Sequence, residues 1–308
     1  MDEWLLIDID GGDVEFGRCT STSPVRLTGR RKYESREFAT ATDCILRYAQ
    51  DEGLQLHGIP TAVVMSGPVV RDTVRIARCP WIISIRGIAY LVGSNLVALN
   101  DSAAKAWADL EFGPATHKMI GGPTDVRTPD MPKDGDSYVA INFGRGLGAS
   151  TLRMHGSDRV HVDTEMGHLL FAPVGPVERA LAEALERRHR LVSWEHALIA
   201  GPSDPAWSTT TIRGDPRAIN VARAGLLGSF CGEAVLAAGG WSGVLLHGAK
   251  ADFSFDSEAN SAFNTRFEAR AGQASLIRSV PRWIAAAPYE NLVGAAYCLQ
   301  ERLQRQTA

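Results

Sequence analysis

Short apolar runs alternate along the chain with segments whose apolar positions recur every three to four residues, the two periods of strand and helix. Residues 4–9 are the first apolar run. Gly11-Gly12 makes a tight turn behind it, and residues 14–19 read as the returning strand of a hairpin. Over 41–52, Cys44, Ile45, Tyr48 and Ala49 fall at helical spacing. A β-branched run over 59–65 stops at Ser66-Gly67-Pro68, residues 69–85 read as a short strand and a connecting turn, and 96–99 form a strand that delivers Asn100-Asp101 at its end. Residues 103–110 are predicted helical and 112–136, rich in Pro, Gly and Asp, irregular. A strand over 138–142 leads through the glycine-rich turn 144–148 into another over 149–154.

The second half is more helical. Val177, Leu181, Ala184 and Leu185 mark one face of an amphipathic helix over 177–188. Ser193 is an N-cap for a helix reaching Ala200, ended by Gly201-Pro202. A loop over 203–218 precedes a long helix over 222–238, a strand over 244–247 and a terminal helix over 292–304. Strands alternating with helices predict an α/β fold, and the early hairpin makes the first sheet mixed. No repeat of fixed period and no low-complexity tract appears.

Composition narrows the function classes. At 308 residues there is room for two domains. A net charge of -3, with no basic run among aromatics, gives no footing for a nucleic-acid or acidic-membrane partner. The five cysteines (Cys19, Cys44, Cys79, Cys231, Cys298) are scattered and odd in number, so neither a disulfide framework nor a zinc site is indicated. Asp2, Glu3, Asp8 and Asp10 interrupt any leader-like start, and no run reads as a bilayer span of about 20 apolar residues. A cytoplasmic protein is expected.

Five polar features follow one another in order: Asp8 with Gly11-Gly12, Asn100-Asp101, Gly144 to Gly148, Glu165 to His168, and Glu195 in Val192-Ser193-Trp194-Glu195-His196. Four of them have a plainer reading, beginning with the Asp8 to Asp13 segment, which fits a hairpin turn with solvated acids. Asn100-Asp101 fits a strand-ending Asx turn, Glu165 and His168 fit a surface pair, and Glu195 fits a carboxylate at a helix start. A Glu-x-x-His metal site would need a second copy, which the chain lacks. Taken in order, the features resemble the bacterial glucokinase family of the actin-like ATPase superfamily. The matching runs are Leu99-Asn100-Asp101, Gly146-Leu147-Gly148, Glu165 to His168 continuing into Phe171-Ala172-Pro173, Val192-Ser193 with Glu195, and Asn291 to Ala296.

The resemblance implies two actin-like (ribonuclease H-like) α/β domains with an interdomain cleft, a smaller one over 1–105 plus 290–308 and a larger one over 106–289. It implies a sugar pocket of Asn100, Asp101, Glu165, His168 and Glu195, with Asp101 accepting the proton of the attacking 6-hydroxyl of glucose. Carboxylates and amides suit the task because each grips paired donors and acceptors on a sugar. It also implies ATP at Asp8, Gly11, Gly12, Gly144, Arg145, Gly146 and Gly248, with Mg²⁺ held through water by Asp8, and a possible homodimer.

The phosphate loops depart from the family pattern. Where the family has Asp-x-Gly-Gly-Thr-Asn, the chain reads Asp8-Ile9-Asp10-Gly11-Gly12-Asp13, with Glu15 at a position where arginine is frequent. Gly-Thr-Gly becomes Gly144-Arg145-Gly146, and the later Gly-Gly becomes Gly248-Ala249. Asp10, Asp13 and Glu15 are expected to repel an anionic nucleotide, by about 4 kcal/mol for a pair about 4 Å apart at an effective dielectric of about 20. Arg145 offers a compensating cation. Three activities are thus in view: a glucose kinase, a sugar-binding pseudokinase with a regulatory or sensing role, and a kinase with another phosphoryl donor.

Overall fold

The computed structural model describes residues 3–20, 24–93, 96–109, 117–123, 132–156, 158–248, 253–285 and 290–307. The chain divides into two units, Met1–Phe112 with Ala287–Ala308, and Gly113–Ala286.

In the first unit, β1 (Glu3–Asp10) and β2 (Asp13–Thr20) form the expected hairpin, in register from Glu3↔Thr20 to Asp10↔Asp13. β3 (Thr28–Glu34) adds antiparallel to β2. β4 (Thr61–Met65) lies parallel to β1 and buries every residue, as a central parallel strand must. β5 (Thr73–Arg75) and β6 (Ile82–Ser84) make a separate ribbon, and β7 (Leu96–Asn100) completes the order β3-β2-β1-β4-β7. Leu5, Ile7, Ile9, Val63 and Met65 pack on one face against Cys44, Ile45 and Tyr48 of α1 (Ala41–Glu52) and Ile88 of α2 (Ile85–Val92). The Phe16 and Tyr48 rings stack at 4.5 Å.

α3 (Asp101–Asp109) leaves the end of β7 and packs against the C-terminal helix Glu290–Thr307. The two backbones touch at Gly294, where a Cβ would stand 1.6 Å from the Ala104 carbonyl oxygen. Gly294→Ala must push the helices apart and is expected to cost about 1–3 kcal/mol or more. Urea unfolding measures the loss, and an unchanged midpoint would contradict this packing.

The second unit holds β8 (His117–Gly121), β9 (Ser137–Phe143), β10 (Leu147–His155), β11 (Asp158–Thr164), β12 (Gly243–His247) and β13 (Arg282–Ala285), in the order β11-β10-β9-β12-β13-β8. β9, β10 and β11 form an antiparallel meander, with β12 and β13 parallel to β9. The order β11-β10-β9-β12-β13 therefore repeats β3-β2-β1-β4-β7, and β8 is an added edge. Two units wound this way are the actin-like, ribonuclease H-like α/β fold.

α4 (Gly175–Glu186), α5 (Trp194–Ile199), α6 (Pro216–Ala238), α7 (Ser257–Glu268) and α8 (Ala274–Arg278) belong to the second unit, whose core joins Val139 and Ile141 to Leu227, Phe230 and Phe263. α6 starts six residues before the predicted helix because Asp215 caps it, accepting from Arg217 N and Ala218 N, with Pro216 at its first position. By length and composition α6 is apolar enough to cross a membrane, but 67% of its most apolar window is buried, and Arg223 among it is fully buried, so it reads as a core helix. The stretch predicted irregular over 112–136 contains β8, while 124–131 lie outside the described residues. Ala249, predicted to follow Gly248 at the nucleotide, lies outside them too.

Candidate functional site

β1, β4 and β7 are parallel, so their carboxyl ends share one edge of the first sheet, the side where open α/β sheets take ligands. Ile9, Met65 and Asn100 are register neighbours there. Asn100 Nδ2 donates to Gly67 O at 3.1 Å, and its Oδ1 accepts from Ser102 N at 2.8 Å. Asp101 Oδ1 accepts from the same N–H at 3.0 Å. The pair thus does make the Asx-type turn, and the turn fixes both side chains at the start of α3. One turn on, Lys105 Nζ lies 3.8 Å from Asp101 Oδ2, the two side chains only 12% and 15% exposed.

Asp8 lies on β1 behind the same edge. Its Oδ2 accepts from Asn291 Nδ2 at 2.9 Å, while Oδ1 is cut off from solvent with no hydrogen-bond partner. Burial pushes its carboxyl up to about 6, opposed by the Asn291 hydrogen bond and the Lys105 charge and assisted by Asp101 and Glu15. Lys105 and Asn291 were not singled out from the sequence as site residues. The available signals were the i, i+4 spacing from Asp101 and the Asn291 to Ala296 run.

Gly11 turns the β1–β2 hairpin at φ +64°, and a Cβ there would stand 2.9 Å from Ala77 O. The Gly11 and Gly12 carbonyls accept from Ser35 Oγ at 3.2 Å and Ser35 N at 2.8 Å. Asp13 pairs with Lys32 at 2.8 Å and Glu15 with Arg30 at 2.5 Å. The sequence predicts Asp10, Asp13 and Glu15 as charges facing a nucleotide, and these pairs concern the last two. β3, absent from that prediction, supplies each of them with a cation, so the repulsion is smaller than expected.

In the second unit, Glu165 and His168 flank the short turn Met166–His168, with Glu165 Oε2 3.6 Å from His168 Nε2 and both about half exposed. Gly167 lets this turn lie against β10, since a Cβ would come 1.9 Å from Leu147 O. Glu195, in the first turn of α5, accepts from Leu147 N through Oε2 at 2.8 Å. A Cβ on Gly146 would meet that oxygen at 2.7 Å. Phe171 N donates to Val192 O at 2.9 Å and Trp194 N to Leu169 O at 3.0 Å, tying the two segments together. Glu165, His168 and Glu195 are thereby gathered around the start of β10, as Asn100 and Asp101 are around the end of β7.

Two further histidines join this corner. His189 and His196 stack with ring centroids 3.7 Å apart, and His196 Nδ1 accepts from Ser193 N at 3.2 Å. Burial lowers the His196 pKa, the charges of His189 and His168 lower it further, and Glu195 opposes them. Gly144-Arg145-Gly146 closes the β9–β10 hairpin, with Gly144 N donating to Gly146 O at 3.1 Å. Gly248 follows β12 at φ +69°, and its Cβ would stand 3.5 Å from Gly144 Cα. All four nucleotide candidates of this unit therefore share the carboxyl end of β9 and β12.

Among the described residues no group of three or more His, Cys, Asp or Glu forms a metal cage. That suits Mg²⁺, which keeps several waters and takes one or two carboxylates plus substrate phosphates. The unpartnered Asp8 oxygen fits such an ion.

The description "Glucokinase" belongs to the family model that matches residues 5–203 and 217–302. A glucokinase of Stenotrophomonas maltophilia strain K279a is 29% identical, over 95% of this chain and 93% of its own. A glucokinase of Caulobacter vibrioides is 28% identical over 96% and 91%. Among solved structures, a glucokinase from an Antarctic psychrotroph superposes with a TM-score of 0.77 at 19% identity, covering 98% of this chain and 99% of that one. A ROK-family glucokinase of Streptomyces griseus, in complex with glucose and AMPPNP, gives 0.55 at 17% identity over 97% and 99%. With the family model matching nearly the whole chain, the protein belongs to the Glucokinase family of sugar kinases.

Proposed function

We propose that the chain phosphorylates glucose at its 6-hydroxyl with MgATP as donor. The observation that carries this reading is the edge of the first sheet, where Asn100 and Asp101 are fixed by the Ser102 turn and Asp8 keeps an unpartnered oxygen. Asn100 and Asp101 grip hexose hydroxyls, and Asp101 accepts the 6-hydroxyl proton as that oxygen bonds to the γ-phosphorus. The bond from this phosphorus to the β–γ bridging oxygen breaks, and ADP leaves with the electron pair. Glu165, His168 and Glu195 are the remaining hexose ligands. Glu195 holds Leu147 N with Oε2 and offers Oε1 to the sugar. Gly11, Gly12, Gly144, Gly146 and Gly248 give the nucleotide close backbone approach, and Arg145 supplies a cation where the family carries a threonine. Asp8 would hold Mg²⁺ through water, and the ion, when bound, would supply positive charge to the phosphates.

A second reading, a hexose-binding protein without turnover, is favoured by one observation: Gly12 places no hydroxyl where the family's threonine stands. A coupled assay of glucose-dependent ADP release decides between the two. If glucose stabilises the protein while ATP neither binds nor turns over, the kinase reading is lost and the second one stands. The Gly12 backbone is not in the left-handed region, and a Cβ there meets nothing within 4 Å. Gly12→Thr is therefore expected to fold normally and to tighten ATP binding about tenfold, the worth of one hydrogen bond to a charged group. Calorimetric titration reads the gain; no gain would show that residue 12 does not face the phosphates.

A further inference from the structure

We infer that Lys105 is a catalytic cation of the phosphoryl transfer, its ammonium contacting the γ-phosphoryl group beside Asp101. The inference rests on the kinase reading above and adds a residue that the family resemblance did not bring.

Lys105 sits one helical turn after Asp101, on the same face of α3. Its Nζ is 3.8 Å from Asp101 Oδ2, beyond hydrogen-bond distance, in a setting where the side chain is only 12% exposed. No hydrogen bond to this ammonium occurs among the described residues. A lysine kept only to neutralise Asp101 would close to roughly 2.7–2.9 Å, the usual length of a charged N–H···O bond. Instead the charge stands off from the carboxylate.

The cation thus stands beside the residue assigned to the acceptor hydroxyl without closing onto it. Two cations beside the hairpin are committed, Lys32 to Asp13 and Arg30 to Glu15. With glycine in place of threonine at residue 12, the loop has lost a donor to the phosphates. An ammonium is a point charge with three rotatable donors, suited to phosphate oxygens. In a water-poor site, a fixed cation is worth most where charge develops. Lys105 takes no proton in this step. The hydroxyl proton goes to Asp101, and the ammonium stays charged throughout.

The test uses the full chain with Lys105→Met and Lys105→Arg, measuring steady-state kcat and KM and calorimetric titrations with MgATP and MgADP. Lys105→Met is expected to lower kcat by about 10²–10³-fold, the scale for loss of one preorganised charge-stabilising group. It should weaken ATP binding about tenfold or more, shift ADP binding by less than about threefold, and keep the rise in Tm caused by glucose. Lys105→Arg should recover about a tenth or more of wild-type kcat. A lysine that merely packs would leave the ATP-to-ADP ratio unmoved. An unchanged ratio in folded Lys105→Met, or an arginine variant no better than the methionine one, overturns the inference. Wild-type protein that binds ATP without releasing ADP removes the kinase reading and the catalytic role with it, while the ATP-to-ADP ratio still decides whether Lys105 contacts the γ-phosphoryl group. Wild-type protein that binds no ATP overturns both.

Discussion

Asp101→Asn is expected to lower kcat for glucose phosphorylation by about 10³-fold, within the usual span of about 10²–10⁴ for losing a positioned base. Asparagine keeps the shape of the side chain and an oxygen that still accepts from Ser102 N, so the start of α3 and the turn with Asn100 survive. What disappears is the negative charge that receives the 6-hydroxyl proton. The contact with Lys105 also changes, but at 3.8 Å it is beyond hydrogen-bond distance and does not hold the turn in place. The loss should therefore appear in kcat, with glucose affinity altered by less than about tenfold. ADP release under saturating glucose and a glucose-dependent thermal shift report the two halves separately. A variant within tenfold of wild-type kcat would remove Asp101 from the proton transfer.

The elements read well from the sequence are those whose own residues decide them. β4 buries all of Thr61–Met65 and β12 all of Gly243–His247, and both stand out as apolar runs. α1 has the bounds its apolar spacing predicts, with Thr40 capping it and Gly53 ending it in the left-handed region. The elements overlooked are those decided by a distant partner. β3, with its sequence Thr-Gly-Arg-Arg-Lys-Tyr-Glu, has no alternating apolar face, and it is a strand because β2 offers a ladder and the acids Asp13 and Glu15. β11 lies at an edge with its alternating Val160 and Val162 exposed, and β8 pairs with β13 from more than 150 residues away. The winding of the second unit repeats that of the first, yet shares no periodic sequence, because topology constrains burial and not residue identity.

The candidate site was legible in a comparable way. Asn100, Asp101, Glu165, His168 and Glu195 came from the resemblance to the glucokinase family, and the structure gathers the first two at the end of β7 and the other three around the start of β10. The packing role of Gly167 and Gly146 was not legible, because it lies in close approach to Leu147 and Glu195, which no spacing rule announces. Of the three acids Asp10, Asp13 and Glu15 expected to repel a nucleotide, the last two are paired by β3, a strand whose cations the hairpin alone does not reveal.

Asp8→Asn should separate stability from activity at one position. The native carboxyl titrates near 6 against an ordinary value of 3.8, chiefly because it is buried. Between those values the folded protein binds more protons than the unfolded chain, so this group makes stability fall as pH rises from about 4 to about 6, and the penalty persists above that window. At about 1.4 kcal/mol per pH unit the penalty at neutral pH is on the order of 1–3 kcal/mol, reduced toward the lower end by what solvent still reaches Asp8. Asparagine carries no charge to bury. Its oxygen accepts from Asn291 Nδ2 as Asp8 does, and its amide offers a donor to the Asn291 Oδ1, which is itself buried without a partner. In metal-free buffer at pH 7 the variant is expected to unfold a few degrees higher than wild type, with the slope of stability between pH 4 and 6 diminished. In the coupled assay the same variant should lose about 10²-fold or more in Mg²⁺-dependent ADP release, the scale of a missing charge-stabilising group, while its stabilisation by glucose is preserved. Thermal unfolding across pH 4–8 in a chelator, beside turnover with MgATP, reads both effects. A pH slope identical to wild type would contradict the buried carboxylate, and full turnover would contradict its part in holding the ion. The costly burial of Asp8 is then intelligible as a stability sacrifice kept for nucleotide use.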